Sequence, residues 1–207
     1  MTEKQEQHSK LYNQYDSGRK LQDLLNLEDD DIHIRRSLPF RFGSPDQTRS
    51  DVDEIKRITC AADAIVVATV KQSASQITAS QRFVFTDYGL LVQEVLRNNT
   101  PEIIHRESEI SVTRPGGAVL VDGRRITAID ESFLPLRRGN QYLLFLRYLP
   151  ETESFASIET GESYELSETG LQLLKGPSGQ SKDLVAAKNN PISLVNEIRA
   201  VTNGSCK

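Results

Sequence analysis

The sequence predicts a mainly β protein, in which a small antiparallel barrel follows a short helix and precedes a C-terminal helix. Three observations predict this fold class. The β-branched run AIVVATV at residues 64–70 begins a succession of strands with no helix of crossover length between them. The dipeptide Asp122-Gly123 lies between two apolar runs, as in a hairpin. A helical apolar stripe begins at Pro191, a residue that suits a first helical turn.

The chain divides into three predicted regions. Residues 1–50 form a polar extension, residues 51–175 form the β-barrel domain, and residues 176–207 form a linker and the C-terminal helix. In the extension, SLPFRFGSPDQTRS is typical of an extended strap, which Phe40 and Phe42 could pin to the barrel surface. A largely mobile extension is the alternative, and the sequence leaves both open.

Two helices flank the predicted barrel. The first begins near Asp51, where SDVDEIKRI supplies a polar N-cap and acidic residues in the first turn. In that helix Ile55 and Ile58 share an apolar face with Val52. The second helix is PISLVNEIRAVTN, and its predicted packing face consists of Ile192, Val195, Ile198 and Val201.

The strands between these helices have distinct local signals. In the long strand RFVFTDYGLLVQEVL, Gly89 predicts a bulge or a bend. The run QYLLFLRYL is apolar on both faces, which predicts a central strand. At the hairpin, Asp122 and Gly123 both tolerate the positive φ that a two-residue turn requires.

The order of these features resembles a group of bacterial domains related in shape to the oligonucleotide/oligosaccharide-binding (OB) barrel and the netrin-like module. The segments CAADAIVVATV, FTDYGLLVQEVLRN, EISVTRPGG and GNQYLLFL carry the resemblance, over about residues 60–149. The resemblance is one of pattern rather than of a catalytic motif, so it implies a barrel fold more than a function. The chain lacks the paired N-terminal cysteines of metalloprotease-inhibiting netrin-like proteins, so that activity is not implied.

Composition narrows the classes of function. The 207 residues carry a net charge of −4, whereas strong nucleic-acid binders usually have a basic domain. No run of about 18 apolar residues predicts a membrane span. The polar N-terminus has no hydrophobic signal core, so the protein is predicted to be cytoplasmic if the sequence is complete and exported if a signal peptide was removed.

The two cysteines, Cys60 and Cys206, are far apart in the sequence and have no metal-ligand spacing. A disulfide that ties the C-terminus to the start of the β domain is one interpretation, and it fits an exported protein. Two unrelated free thiols are the other interpretation, and the sequence does not decide between them.

Catalytic patterns are missing from the predicted domain. His105 is its only histidine and is predicted to be a solvated loop residue, and no G-x-S-x-G motif presents a serine. The carboxylate pairs Asp130-Glu131 and Glu151 with Glu153 are predicted to be solvated loop charges, as is the acidic run at residues 28–31. We therefore predict no enzyme activity, no metal site and no cofactor.

The remaining surface candidate is a set of arginines near predicted turns. If the barrel brings them together, they form a patch for an anion or a partner; the residues are Arg114, Arg124, Arg125, Arg137 and Arg138. The favoured function is a non-catalytic module that binds or scaffolds a macromolecule or an envelope component. An OB-like barrel that binds oligonucleotides or anions is the first alternative, and an enzyme of unrecognised type is the second.

Overall fold

The structure is a computed structural model that describes residues 2–15, 18–25, 31–36, 51–130, 132–158, 163–167, 170–173, 191–204 and 206. Within these ranges the chain is mainly β. The helices are α1 (Glu3–Leu11), α2 (Leu21–Leu25), α3 (Asp51–Ala61) and α4 (Pro191–Gly204). Phe40, Phe42 and the predicted linker at residues 176–181 lie outside the described residues.

The strands of the described ranges form two sheets. The strands are β1 (Ile32–Arg36), β2 (Ala64–Ile77), β3 (Val84–Asn98), β4 (Glu109–Pro115), β5 (Gly117–Val121), β6 (Arg124–Asp130), β7 (Gln141–Leu149), β8 (Ser154–Ser157), β9 (Ser163–Ser167) and β10 (Gly170–Leu173). The larger sheet has the order β10-β9-β7-β2-β3-β4-β8, and β8 also pairs with β7. The β4–β8 pairing is parallel, and the other pairings of this sheet are antiparallel.

The smaller sheet has the order β1-β6-β5 and contains the predicted hairpin. β5 and β6 pair antiparallel, and the turn between them has φ values of 51° at Asp122 and 77° at Gly123. The hairpin prediction is therefore confirmed. β1 pairs parallel with β6, with Ile32 opposite Ile126, so a strand from the N-terminal extension completes this sheet.

Two further strand predictions are confirmed. β7 lies between β2 and β9, and its residues from Tyr142 to Leu146 are all buried. At Gly89 the β2–β3 register shifts, because Leu90 faces Val70 while Gly89 faces Gln72. A Cβ atom at position 89 would lie 2.7 Å from the Gln72 Cγ atom, so a larger residue there would require the Gln72 side chain to move.

Apolar side chains pack in three clusters. The first lies between the strands of the larger sheet, and Val66, Leu90, Val112, Leu144 and Phe155 belong to it. The second lies between α3, α4 and the opposite faces of β2 and β7. The third joins the N-terminal extension to the start of β3 and to β6.

The C-terminal helix is confirmed, but its predicted packing face is only partly right. Ile198 and Val201 are buried and Val195 is partly buried, whereas Ile192 is 68% exposed. Leu194 is buried in place of Ile192. Leu194, Ile198 and Val201 are spaced four and three residues apart, so they share one face of the helix, and α4 packs against α3 and β3. A disulfide between Cys60 of α3 and Cys206 ties the two helices together.

The described part of the N-terminal extension packs on strands of both sheets. Tyr12 and Tyr15 are buried, Tyr15 stacks on Phe83 with 4.2 Å between ring centroids, and Tyr12 stacks on Phe85 at 5.5 Å. These contacts make residues 2–36, where described, part of the folded body. No helix within the described ranges is long and apolar enough to cross a membrane.

Candidate functional site

A buried histidine links the N-terminal helix to the larger sheet. His8 of α1 is 1% exposed, and its Nδ1 atom lies 2.8 Å from Oδ1 of Asp87 on β3. Its Nε2 atom lies 2.8 Å from Oγ of Ser154, the first residue of β8, and 3.1 Å from Oγ1 of Thr152. One imidazole therefore bridges a helix and two strands that are distant in sequence.

The local sequence places His8 by starting α1 at a defined residue. Thr2 and Gln5 form a capping box. The Thr2 hydroxyl accepts a hydrogen bond from the Gln5 backbone N–H, and the Gln5 side-chain oxygen accepts one from the Thr2 backbone N–H. The inward face of the helix is polar and consists of His8 and Ser9. Ser9 Oγ accepts a hydrogen bond of 2.6 Å from the Ala79 backbone N–H, so this face is held by hydrogen bonds.

The order carboxylate, imidazole and hydroxyl in this cluster matches that of a serine hydrolase triad. A nucleophile must, however, meet its substrate, and Ser154 is fully buried. Its hydroxyl also contacts Thr152 Oγ1 at 2.6 Å, which occupies the space beside it. As folded, the cluster joins α1, β3 and β8 and presents no open nucleophile.

A second polar centre surrounds Arg114 of β4. Ile110, Val112 and Arg114 alternate along the strand, and the first two belong to the core cluster of the larger sheet. Arg114 is 1% exposed, and its Nη1 atom donates to Ser163 Oγ at 3.4 Å. Its Nε and Nη2 atoms have no hydrogen-bond partner among the residues that the structure describes. Burial lowers the pKa of Arg114 below its usual value.

An aromatic ring lies beside this guanidinium, and two tyrosine hydroxyls bind the segment that carries the ring. Its Cζ atom lies 5.6 Å from the ring centroid of Phe133, within cation–π range. The hydroxyl of Tyr142 accepts a hydrogen bond of 2.8 Å from the Arg137 backbone N–H, and that of Tyr88 accepts one of 3.3 Å from the Leu136 backbone N–H. The two tyrosines thus fix the segment between β6 and β7 beside the arginine.

A buried carboxyl group completes the second centre. Asp130 is fully buried, accepts a hydrogen bond from the Tyr15 hydroxyl, and accepts another of 2.7 Å from the Ser132 backbone N–H. Burial raises the pKa of Asp130, although these donors and the charge of Arg114 lower it in part. Burial and the neighbouring Asp130 charge together raise the pKa of Tyr15.

The structure separates the predicted arginine set. Arg114 is buried, whereas Arg125, Arg137 and Arg138 are exposed and Arg124 is half-buried. Arg124 is the first residue of β6, and its side chain donates a hydrogen bond to the Leu25 carbonyl. Arg137 and Arg138 follow the other end of β6, and the six residue steps along that strand span roughly 20 Å. Arg124 and Arg125 therefore do not share one end of β6 with Arg137 and Arg138.

The carboxylate and histidine predictions have mixed outcomes. His105, Glu151 and Glu153 are exposed, as predicted. The prediction for Asp130 is wrong, because its carboxyl lies in the interior with hydrogen-bond donors around it, and Glu131 lies outside the described residues. In the described ranges, no three His, Cys, Asp or Glu side chains group as metal ligands would.

The sequence contains a local signal for the burial of Arg114 but none for the burial of His8. Arg114 shares the alternation of Ile110 and Val112, which directs it to the same face as those core residues. His8 belongs to a polar helix whose sequence shows no apolar stripe, so only its distant partners decide its burial.

No protein-family model matches the chain, and a search of curated proteins finds no relative.

Proposed function

We propose that this chain is a non-catalytic binding module with an OB-like barrel. It recognises an extended polypeptide segment of a partner at the edge of β5 that has no partner strand among the described residues. The observation that carries the proposal is that β5 is an edge strand without charged residues, with Leu120 75% exposed. Exposed edge strands present unpaired backbone N–H and C=O groups, which a partner strand can pair with.

The strand pairings support a closed barrel. β7 pairs with β2, β2 with β3, β3 with β4, β4 with β8, and β8 with β7, so the series returns to its first strand. Five strands closed in this way correspond in number to an OB barrel. Closure would remove the edges of these five strands, and the edge strands that then remain in the described ranges are β10 of the larger sheet and β1 and β5 of the smaller sheet.

The two edges of the smaller sheet differ in chemistry. β1, at one edge, carries His33, Arg35 and Arg36, and basic residues on an edge strand discourage pairing with another chain. β5, at the other edge, has the sequence GAVLV and pairs only with β6 among the described strands. The difference favours β5 as the edge that accepts a strand.

A cavity lies beside the far end of β5. Its volume is about 290 Å³, and its lining includes Val121 of β5, Ile77 of β2 and Leu21 of α2. The lining is mostly apolar, and the volume is at the lower limit of small-molecule sites. Such a cavity suits one apolar side chain of a segment paired with β5, and this side chain would provide specificity beyond backbone pairing.

The disulfide is evidence for the cellular compartment in which the module functions. Disulfides persist mainly in oxidising compartments, such as the periplasm or the extracellular space. The bond between Cys60 and Cys206 therefore supports an exported module, whose partner would be a component of the cell envelope or an external protein.

The nucleic-acid alternative has less support. In OB barrels, oligonucleotides bind on the face formed by the second and third strands, which correspond to β3 and β4. Here α1 and the residues after it occupy that face, with His8 bonded to Asp87 and the Tyr12 hydroxyl donating to Thr113 Oγ1 at 3.1 Å. A single-stranded nucleic acid would have to displace these buried contacts.

Peptide selection tests the proposed function. We expect a displayed library of random linear peptides, selected on the oxidised protein, to yield sequences with alternating apolar residues. Bound peptides should slow hydrogen exchange of the backbone amides at residues 117–121, because strand addition engages the β5 edge. Leu120→Lys should weaken binding by roughly tenfold or more, since a lysine on an edge strand opposes pairing.

The matched control is Ile192→Lys, which changes another exposed apolar residue on α4 and should leave peptide affinity unchanged. The proposed function fails if no peptide is enriched. It also fails if the enriched peptides protect a different region or bind both lysine variants equally.

A further inference from the structure

Two donor atoms of Arg114 lack an acceptor among the residues that the structure describes. A buried cation is strongly unfavourable unless charge pairing and hydrogen bonds compensate for its lost hydration. Its contact to Ser163 Oγ is at the long end of the hydrogen-bond range, at 3.4 Å. The Nε and Nη2 atoms have no partner among the described residues, and Asp130, the nearby carboxyl group, already accepts from Tyr15 and Ser132.

The two unpartnered atoms form one edge of the guanidinium. Nε–H and one Nη2–H point in parallel from the same side of the planar group, whereas Nη1 faces Ser163. Two parallel donors match the two oxygens of a single carboxylate, which binds arginine in a fork geometry. The geometry of these two N–H donors therefore favours a planar acceptor with two oxygens.

The residues around the Arg114 guanidinium narrow the chemical class of the ligand further. The Phe133 ring provides aromatic surface beside the guanidinium, and Tyr88 and Tyr142 are near enough to influence its pKa electrostatically. A monocarboxylate neutralises one arginine, whereas a phosphate dianion would bring excess negative charge close to Asp130. Apolar and aromatic walls suit a carboxylate attached to an apolar body.

We propose that this end of the barrel binds the carboxylate of a small aromatic or apolar acid, with Arg114 holding both carboxylate oxygens. The segment from Phe133 to Asn140 forms the cover of the site, since Leu136 and Arg137 donate their backbone N–H groups to Tyr88 and Tyr142. Pro135, Arg137, Arg138 and Gly139 of this segment are exposed, so the ligand enters as the segment lifts. The site is independent of the strand addition proposed at β5.

Side-chain NMR with ¹⁵N-labelled arginine tests this proposal, with benzoate as the probe. We expect benzoate to shift the Arg114 Nε–H resonance in a saturable manner, while chloride at equal ionic strength leaves it unchanged. Acetate should bind more weakly than benzoate, because it lacks the aromatic body, and inorganic phosphate should not compete. Arg114→Lys should weaken benzoate binding by roughly tenfold or more, because an ammonium group does not offer the parallel fork.

The matched control is Arg125→Lys, which alters an exposed arginine at the opposite end of β6 and should leave benzoate affinity unchanged. If Arg114→Lys does not fold, the Arg114 Nε–H signal of the wild type still tests benzoate binding, once it has been assigned by correlation with the backbone resonances. The proposal is overturned if saturating benzoate does not move the Arg114 Nε–H signal. It is also overturned if chloride, phosphate and benzoate shift that signal equally, which would indicate ionic screening alone.

Discussion

Replacement of Cys60 and Cys206 by serine is expected to lower the free energy of unfolding by about 5 kcal/mol at 25 °C. The disulfide closes a loop with a sequence separation of 146 residues. In the chain-entropy description, a loop of this length restricts the unfolded chain enough to give that stabilisation. The bond also holds α4 against α3 and β3, so its loss should release α4 first.

Urea unfolding followed by circular dichroism measures the effect. The Cys60→Ser/Cys206→Ser variant should unfold at a much lower urea concentration than the oxidised wild type. Reductant should bring the wild type to the midpoint of the variant and should leave the variant unchanged. Equal midpoints for oxidised wild type, reduced wild type and variant would show that the bond contributes nothing to stability.

Truncation of His8 should give the second large effect. His8→Ala removes the partner of Asp87 Oδ1 and one partner of the Ser154 hydroxyl, and it leaves a void under α1. Unsatisfied buried polar groups cost about 1–3 kcal/mol each, so we expect a loss of about 3 kcal/mol in the free energy of unfolding. Trypsin should also cleave after Lys4 and Lys10 faster, because α1 detaches more readily.

His105→Ala is the matched control, because His105 is exposed, and its effect should stay within about 0.5 kcal/mol. His8→Phe fills the void without restoring the hydrogen bonds and should remain close to His8→Ala in stability. If His8→Ala is as stable as the wild type, the imidazole does not hold the N-terminal helix in place.

Local signals in the sequence predict the separate elements well. The Asp122-Gly123 hairpin, the central strand β7 and the irregularity at Gly89 all depend on residues that are close in sequence. Backbone conformation and strand alternation at these positions are decided locally. The same holds for the presence of α3 and α4, although contacts with the sheet decide which face of α4 is buried.

The two polar centres depend on contacts between distant residues, and sequence patterns do not reveal these. His8 meets Ser154 across 146 positions, and Tyr15 meets Asp130 across 115. The polar sequence of α1 indicates a solvated helix, because nothing local shows that the Asp87 carboxylate and the buried Ser154 hydroxyl will bind His8. Arg114 was included among the candidate binding residues, but its burial follows from the core face of β4.

The claim that the His8, Asp87 and Ser154 cluster is structural can be tested directly with a fluorophosphonate, which labels activated serines. Intact-mass analysis of the oxidised protein after prolonged incubation should show no adduct, since Ser154 is fully buried and its hydroxyl contacts Thr152. A stoichiometric adduct at Ser154 that disappears in His8→Ala would contradict the claim and would identify the chain as a serine hydrolase.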